Sequence, residues 1–163
     1  MKNILLILFC SLSLVGCGAG RLTVLDPLEC DEVALKIKIQ RTKDTVKTNP
    51  ERVEEFESLL RKELRNKGAI EGSDITLSYR FVQVNEGNRF GRWLTGGIGN
   101  LGEGSLTIEV KYINRQGREI GRIMSEGKIG SGLWGGGFSN ALEKAAEEIA
   151  QYTAKSLNIG CQS

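Results

Sequence analysis

Apolar residues recur with period two in three separate stretches, more weakly in a fourth, and with helical spacing in two. This mixed periodicity constrains the fold more than any other feature of the chain. Val33, Leu35, Ile37 and Ile39 alternate with Ala34, Lys36 and Lys38, which predicts a half-buried strand. Asn49 then offers an N-cap and Pro50 a first helical position. Val53, Phe56, Leu59, Leu60 and Leu64 form one stripe of that helix, and Gly68 ends it. Ile75, Leu77, Tyr79 and Phe81 alternate through a second strand that reaches about Val84. Leu106, Ile108, Val110 and Tyr112 alternate with the outward Thr107, Glu109 and Lys111 in a third. Asn114-Arg115-Gln116-Gly117 reads as a hairpin turn into a fourth strand, from about Arg118 to Ile129. From Ser139 or Asn140 the apolar residues Leu142, Ala145, Ala146, Ile149 and Leu157, with Thr153, return to helical spacing. The order β-α-β-β-β-α predicts an α+β two-layer sandwich, a mainly antiparallel sheet with two helices on one face. The helix between the first two strands allows those two to pair in parallel.

The first helix carries Glu51, Glu54, Glu55 and Glu57 early and Arg61, Lys62, Arg65 and Lys67 late. This order complements the helix dipole and reads as a solvated face.

At 163 residues the chain has room for one domain. It contains no histidine, which excludes Ser-His-Asp and Cys-His catalysis and histidine metal ligation. Lys and Arg total 22 against 20 acids, too balanced for electrostatic binding of nucleic acid through Arg80, Arg89, Arg92, Arg115, Arg118 and Arg122. Gly97-Ile98-Gly99-Asn100-Leu101-Gly102 satisfies GxGxxG, but strand-like alternation follows it where a dinucleotide fingerprint requires a helix. Gly127-Lys128 is followed by Ile129, so there is no P-loop either. No cofactor, metal or catalytic residue is expected. A carboxylate hydrolase using Glu86, Glu103, Glu109 or Glu126 is disfavoured, because Glu109 alternates outward and scattered acids usually face solvent.

The N-terminus specifies location. After Lys2 comes an apolar run from Ile4 to Val15, too short for a permanent transmembrane helix and suited to a signal peptide. It ends in Leu14-Val15-Gly16-Cys17, which resembles the lipobox of bacterial lipoproteins. That resemblance implies a signal peptide over residues 1–16 and a lipid on the Cys17 thiol; the other reading is a plain signal peptide with a chance cysteine. Gly18 lacks the aspartate associated with inner-membrane retention, which by the same resemblance places the protein at the outer membrane, facing the periplasm. Residues 17–32 read as a lipidated tether and 33–163 as the single domain. Cys10 leaves with the signal, so Cys30 and Cys161 remain as an even pair in an oxidising compartment, and a Cys30–Cys161 disulfide is expected over two unpaired thiols.

Glycine is concentrated. Of 21 glycines, fourteen fall within residues 87–104 and 121–137, and each stretch holds one of the two tryptophans, Trp93 and Trp134. One reading is structural, with glycines at tight turns and tryptophans packed over the sheet end. The other is an interaction surface in which Trp93, Leu94, Ile98, Leu101, Leu133, Trp134 and Phe138 are the large apolar groups on permissive loops and Arg89 and Arg92 the polar rim.

The stretch Tyr79-Arg80-Phe81-Val82-Gln83-Val84-Asn85-Glu86-Gly87-Asn88-Arg89, together with Ser125-Glu126-Gly127-Lys128-Ile129 and the run from Gly135-Gly136-Gly137-Phe138 to Ile149, resembles the bacterial lipoprotein family catalogued as domain of unknown function 4410. The resemblance covers roughly residues 33–155. It implies a secreted lipoprotein and transfers no catalytic residue. The expected function is therefore a membrane-anchored cell-envelope lipoprotein of non-enzymatic accessory or assembly type, which binds an envelope protein partner through its glycine-tryptophan loops. The alternative is a periplasmic lipid- or small-ligand-binding module with an apolar cleft between sheet and helices. The oligomeric state stays open.

Overall fold

A computed structural model describes residues 20–28, 36–85, 104–129 and 137–159. Six strands and two helices follow one another as β1 (Gly20–Asp26), β2 (Lys36–Arg41), α1 (Pro50–Asn66), β3 (Ile70–Glu71), β4 (Ile75–Asn85), β5 (Gly104–Asn114), β6 (Glu119–Ile129) and α2 (Phe138–Ser156). They form one mixed sheet in the order β1-β6-β5-β4-β2-β3. The expected crossover is present: β2 pairs in parallel with β4, Ile37 opposite Ile75 and Ile39 opposite Leu77, with α1 between them in sequence. The pairs β4–β5, β5–β6 and β1–β6 are antiparallel.

Two strands exceed the four expected. β3 is two residues long, too short to leave a periodic signal. β1 corrects the assignment of residues 17–32 to a tether, because Gly20–Asp26 form an edge strand against β6, Leu22 opposite Ser125 and Val24 opposite Ile123. Leu22 and Val24 alone do not establish a period of two; the ladder with β6 makes these residues a strand. Just beyond it the Leu28 amide donates to the Tyr152 hydroxyl on α2 at 3.2 Å, tying the strand's end to the helix layer.

The helices cover one face. Phe56 of α1 is fully buried and meets the Tyr79 and Phe81 rings edge-on, with centroids 5.1 and 5.7 Å away. α2 presents Leu142, Ala145, Ala146, Ile149 and Ala150, and its alanines let it lie close to the sheet and to α1. Tyr112 and Thr153 share a hydrogen bond of 2.7 Å at that buried contact. Asn49 caps α1 as expected, its side chain accepting from the Glu51 amide at 3.1 Å. α2 begins at Phe138, slightly ahead of the expected start, on Gly137 and without a side-chain cap.

Two glycines earn their place geometrically. Gly117 has φ +78° in the β5–β6 hairpin, where the Asn114 side chain accepts from the amides of Gln116 and Arg118. Gly121 leaves no room for a side chain: a Cβ there would lie 2.7 Å from the Leu28 Cα, against backbone that cannot swing aside. At Gly127 the nearest atom to such a Cβ is the Ala141 Cβ at 3.7 Å, an ordinary contact. Gly121→Ala is therefore expected to lower stability by about 2 kcal/mol, within the range for overpacking, while Gly127→Ala changes it by less than about 0.5 kcal/mol. Chemical denaturation of the two variants checks this, and equal effects would contradict it.

Candidate functional site

Cys17, Cys30 and Cys161 lie outside the described residues, as do Arg89, Arg92, Trp93, Leu94, Ile98, Leu101, Leu133 and Trp134. Phe138 is described, and it corrects its assignment to an exposed loop surface: it opens α2 and is buried in the core. The described strands nevertheless fix where the segments carrying them leave the sheet. Asn85, the last residue of β4, pairs with Ser105 at the start of β5, and Gly104 pairs with Ile129, the last residue of β6. Residues 86–103 and 130–136 therefore depart from the same end of the sheet. Gly20, at the start of β1, pairs with Gly127 and so belongs to that end too. Cys17 precedes Gly20 by three residues, a reach of about 10 Å. One end of the domain thus gathers the strand ends that lead into both glycine-tryptophan segments and the start of β1, the strand that follows the lipobox-like sequence.

The face of the sheet opposite the helices carries the second notable arrangement. Period-two alternation puts Ser78 and Arg80 of β4, Glu109 and Lys111 of β5, and Arg122 of β6 on this face, and register sets them side by side: Arg80 opposite Glu109, Lys111 opposite Arg122. Arg80 donates to Glu109, and Arg122 lies 3.8 Å from the other oxygen of the same carboxylate. Arg122 also donates to Glu119 at 2.7 Å and stands 3.7 Å from Asp26, while Lys111 donates to Glu119 at 3.0 Å. Three cations thus face three carboxylates. Glu109 points outward as its alternation requires, yet it is only 5% exposed, because the arginine side chains roof it. A groove of about 440 Å³ runs over this face past Thr42, Ser78, Arg80, Glu109 and Lys111.

The electrostatics of this face favour fixed charge. Burial opposes ionisation of Glu119, but the hydrogen bonds from Lys111 and Arg122 outweigh it and hold the carboxyl below its ordinary range. The hydrogen bond to Glu119 raises the Arg122 guanidinium further. Of the acids considered for hydrolysis, Glu86 and Glu103 lie outside the described residues, Glu109 is engaged by two arginines, and Glu126 is exposed opposite Thr107. Arg80 and Arg122 face carboxylates and form no basic patch.

The charged lattice leaves a trace in the sequence as charges at alternate strand positions, but its pairing depends on cross-strand register. Glu57, read as part of a solvated helix face, is a second such case: its carboxylate accepts from the Tyr79 hydroxyl at 2.7 Å. Burial, and then this bond, push the Tyr79 phenol far above its ordinary pKa. The cleft between α1 and the β2–β3 edge holds only about 20 Å³. Among the described residues no helix is long and apolar enough to cross a membrane.

These features define an α+β domain with a helix-covered sheet, one charge-neutralised open face, and two glycine-rich insertions rooted at one sheet end. The chain belongs to the family described as Domain of unknown function (DUF4410), whose model matches residues 28–132, from the end of β1 to just beyond β6. No curated protein matches the sequence. Among solved structures it is similar to two PelC dodecamers from Paraburkholderia phytofirmans, one of them a point variant. The variant is 15% identical with a TM-score of 0.58, covering 88% of this chain and 99% of that one. The other is 14% identical with a TM-score of 0.58, covering 83% and 97%. At these identities the likeness establishes a shared fold.

Proposed function

We propose that this chain is a lipid-anchored subunit of a bacterial cell-envelope assembly, non-enzymatic and held by Cys17 at the outer membrane, facing the periplasm. Its glycine-tryptophan segments bind an envelope protein partner close to the lipid, with Trp93, Leu94, Ile98, Leu133 and Trp134 as apolar contacts and Arg89 and Arg92 as the rim. A Cys30–Cys161 disulfide joins the two termini. The observation that supports this reading is that Gly20, three residues after Cys17, lies at the same end of the sheet as the strand ends flanking both segments. A lipid on Cys17 turns that end toward the membrane, and an apolar surface there meets whatever else occupies the bilayer's edge. The open face, with its charges mutually paired, supports a non-catalytic role. Because PelC of the same fold forms a dodecamer, we extend the reading to assembly with further copies of this chain.

Crosslinking and capture of the full chain from intact envelopes tests the proposal, beside Cys17→Ala and the double variant Trp93→Ala plus Trp134→Ala. The expected result is a defined envelope partner that is lost from the double variant, and loss of membrane association in Cys17→Ala. An unchanged partner in the double variant would move the contact elsewhere on the domain.

A further inference from the structure

The described residues leave three large apolar side chains exposed, and all three lie on the outermost strands of the sheet. Val24 and Leu25, at 42% and 44%, are on β1; Ile70, at 55%, is on β3 at the opposite edge. Single exposed apolar residues are ordinary, but here they coincide with strand edges that have no partner among the described residues. Among the described residues β1 pairs only with β6. On the other edge β3 pairs only with Lys36 and Ile37, so the outward amides and carbonyls of Ile39 and Arg41 in β2 have no strand partner among the described residues.

We infer that β1 of one copy adds to the β2 edge of the next, in the strand position that β3 fills only at Lys36 and Ile37. The inference rests on the reading of the chain as an anchored, self-assembling subunit, and it names the surface.

Strand direction fits. Following the pairings across the sheet, β1 runs opposite to β6, β6 to β5 and β5 to β4, while β4, β2 and β3 run together. β1 therefore runs antiparallel to β2, and a second copy set alongside with its helices on the same face offers an antiparallel ladder. Side-chain chemistry fits as well. Val24 shares the helix face with Ile123, as Ile39 does with Leu77, so joining the edges brings Val24 to the dimple of about 20 Å³ that Ile37, Ile39, Leu64, Ala69 and Ile70 line together with two arginines of α1 and a glutamate of β3. On the open face, Asp26 comes to the edge that carries the exposed Lys36 and Lys38. Pro27, which lacks an amide hydrogen, ends the added strand.

The anchor selects this arrangement over a symmetric one. Two β1 strands paired with each other antiparallel would put the two Gly20 ends, and the Cys17 just before each, on opposite sides, separated by about 20 Å for a seven-residue strand. One membrane cannot hold both. Joining β1 to β2 relates the copies by rotation about an axis along the strands, so every anchor and every glycine-tryptophan end faces the same side. Such a contact joins two different surfaces and closes into a ring when the rotation closes.

Photocrosslinking in the full, membrane-anchored chain tests this. p-Benzoylphenylalanine at Lys38 should yield a covalent pair of copies attached within residues 20–26, and the same probe at Leu25 should attach to β2 or β3 of a neighbour. Val24→Glu should reduce the assembled fraction about tenfold, the size of a lost central apolar contact, with an unchanged melting temperature showing that the fold survives. Attachment of the Leu25 probe to β1 of another copy would overturn the inference in favour of symmetric pairing. An intact assembly without either edge adduct would overturn the inference and leave self-assembly standing. A monomer in native mass measurements of the unmodified chain would overturn the self-assembly reading itself.

Discussion

Phe56→Ala lowers the stability of the domain by about 4 kcal/mol, in the usual range for removing a buried aromatic ring. Phe56 has no exposed surface, and its ring is the only one from α1 that meets both Tyr79 and Phe81 among the described contacts. Its loss leaves a cavity where helix meets sheet, and neither neighbour can fill it. Tyr79 is held through its hydroxyl to Glu57, and Phe81 lies in a stretch of β4 whose backbone is bonded to Asp44 and Thr45. For a domain of this size the expected fall in melting temperature is roughly 10–15 °C. Phe56→Leu, which retains most of the volume, should cost less than half as much. Denaturant titration of both variants measures the difference, and a loss below about 1.5 kcal/mol for Phe56→Ala, the level of a volume-conserving swap, would show that α1 is not anchored through this ring.

Glu109→Ala has the second largest effect, and its origin is electrostatic. The carboxylate is nearly buried between Arg80 and Arg122, so removing it leaves two guanidinium groups facing each other across the space it filled. Breaking a fully buried ion pair costs about 3–5 kcal/mol. Here the arginine side chains are 38% and 33% exposed and can turn toward water, which reduces the expected cost to about 2–3 kcal/mol. Glu109→Gln keeps the shape and one acceptor and should lose less. A double-mutant cycle with Arg80→Ala isolates the pair, and a coupling of about 1 kcal/mol or more is expected for residues in one network. A coupling near zero would mean that Glu109 is held by packing alone.

The same two residues show how far the sequence carries. Phe56, Tyr79 and Phe81 fall at helical and strand periods that point them at one core, and the helix between β2 and β4 allows the parallel pairing that the two strands adopt. Glu109 is assigned correctly to the outward face but wrongly to solvent, because its burial comes from arginines on β4 and β6, and only register puts them over it. β1 is missed for a related reason: Leu22 and Val24 are too few to establish a period, and β6 supplies the ladder that makes the segment a strand. The glycine-tryptophan segments are visible as composition. That the strand ends flanking them lie at the same sheet end as Gly20, three residues after Cys17, is a property of topology, legible only after β1 is joined to β6. The family model, which begins at residue 28, does not include that strand.

Native mass spectrometry of the full chain, extracted from membranes in mild detergent, is the most direct test of the proposal that the chain is an anchored subunit that assembles with further copies of itself. The expected result is a single species well above a dimer, its mass an integral multiple of a lipidated protomer that begins at Cys17. A species no larger than one protomer, or a dimer that grows no further with concentration, would contradict it.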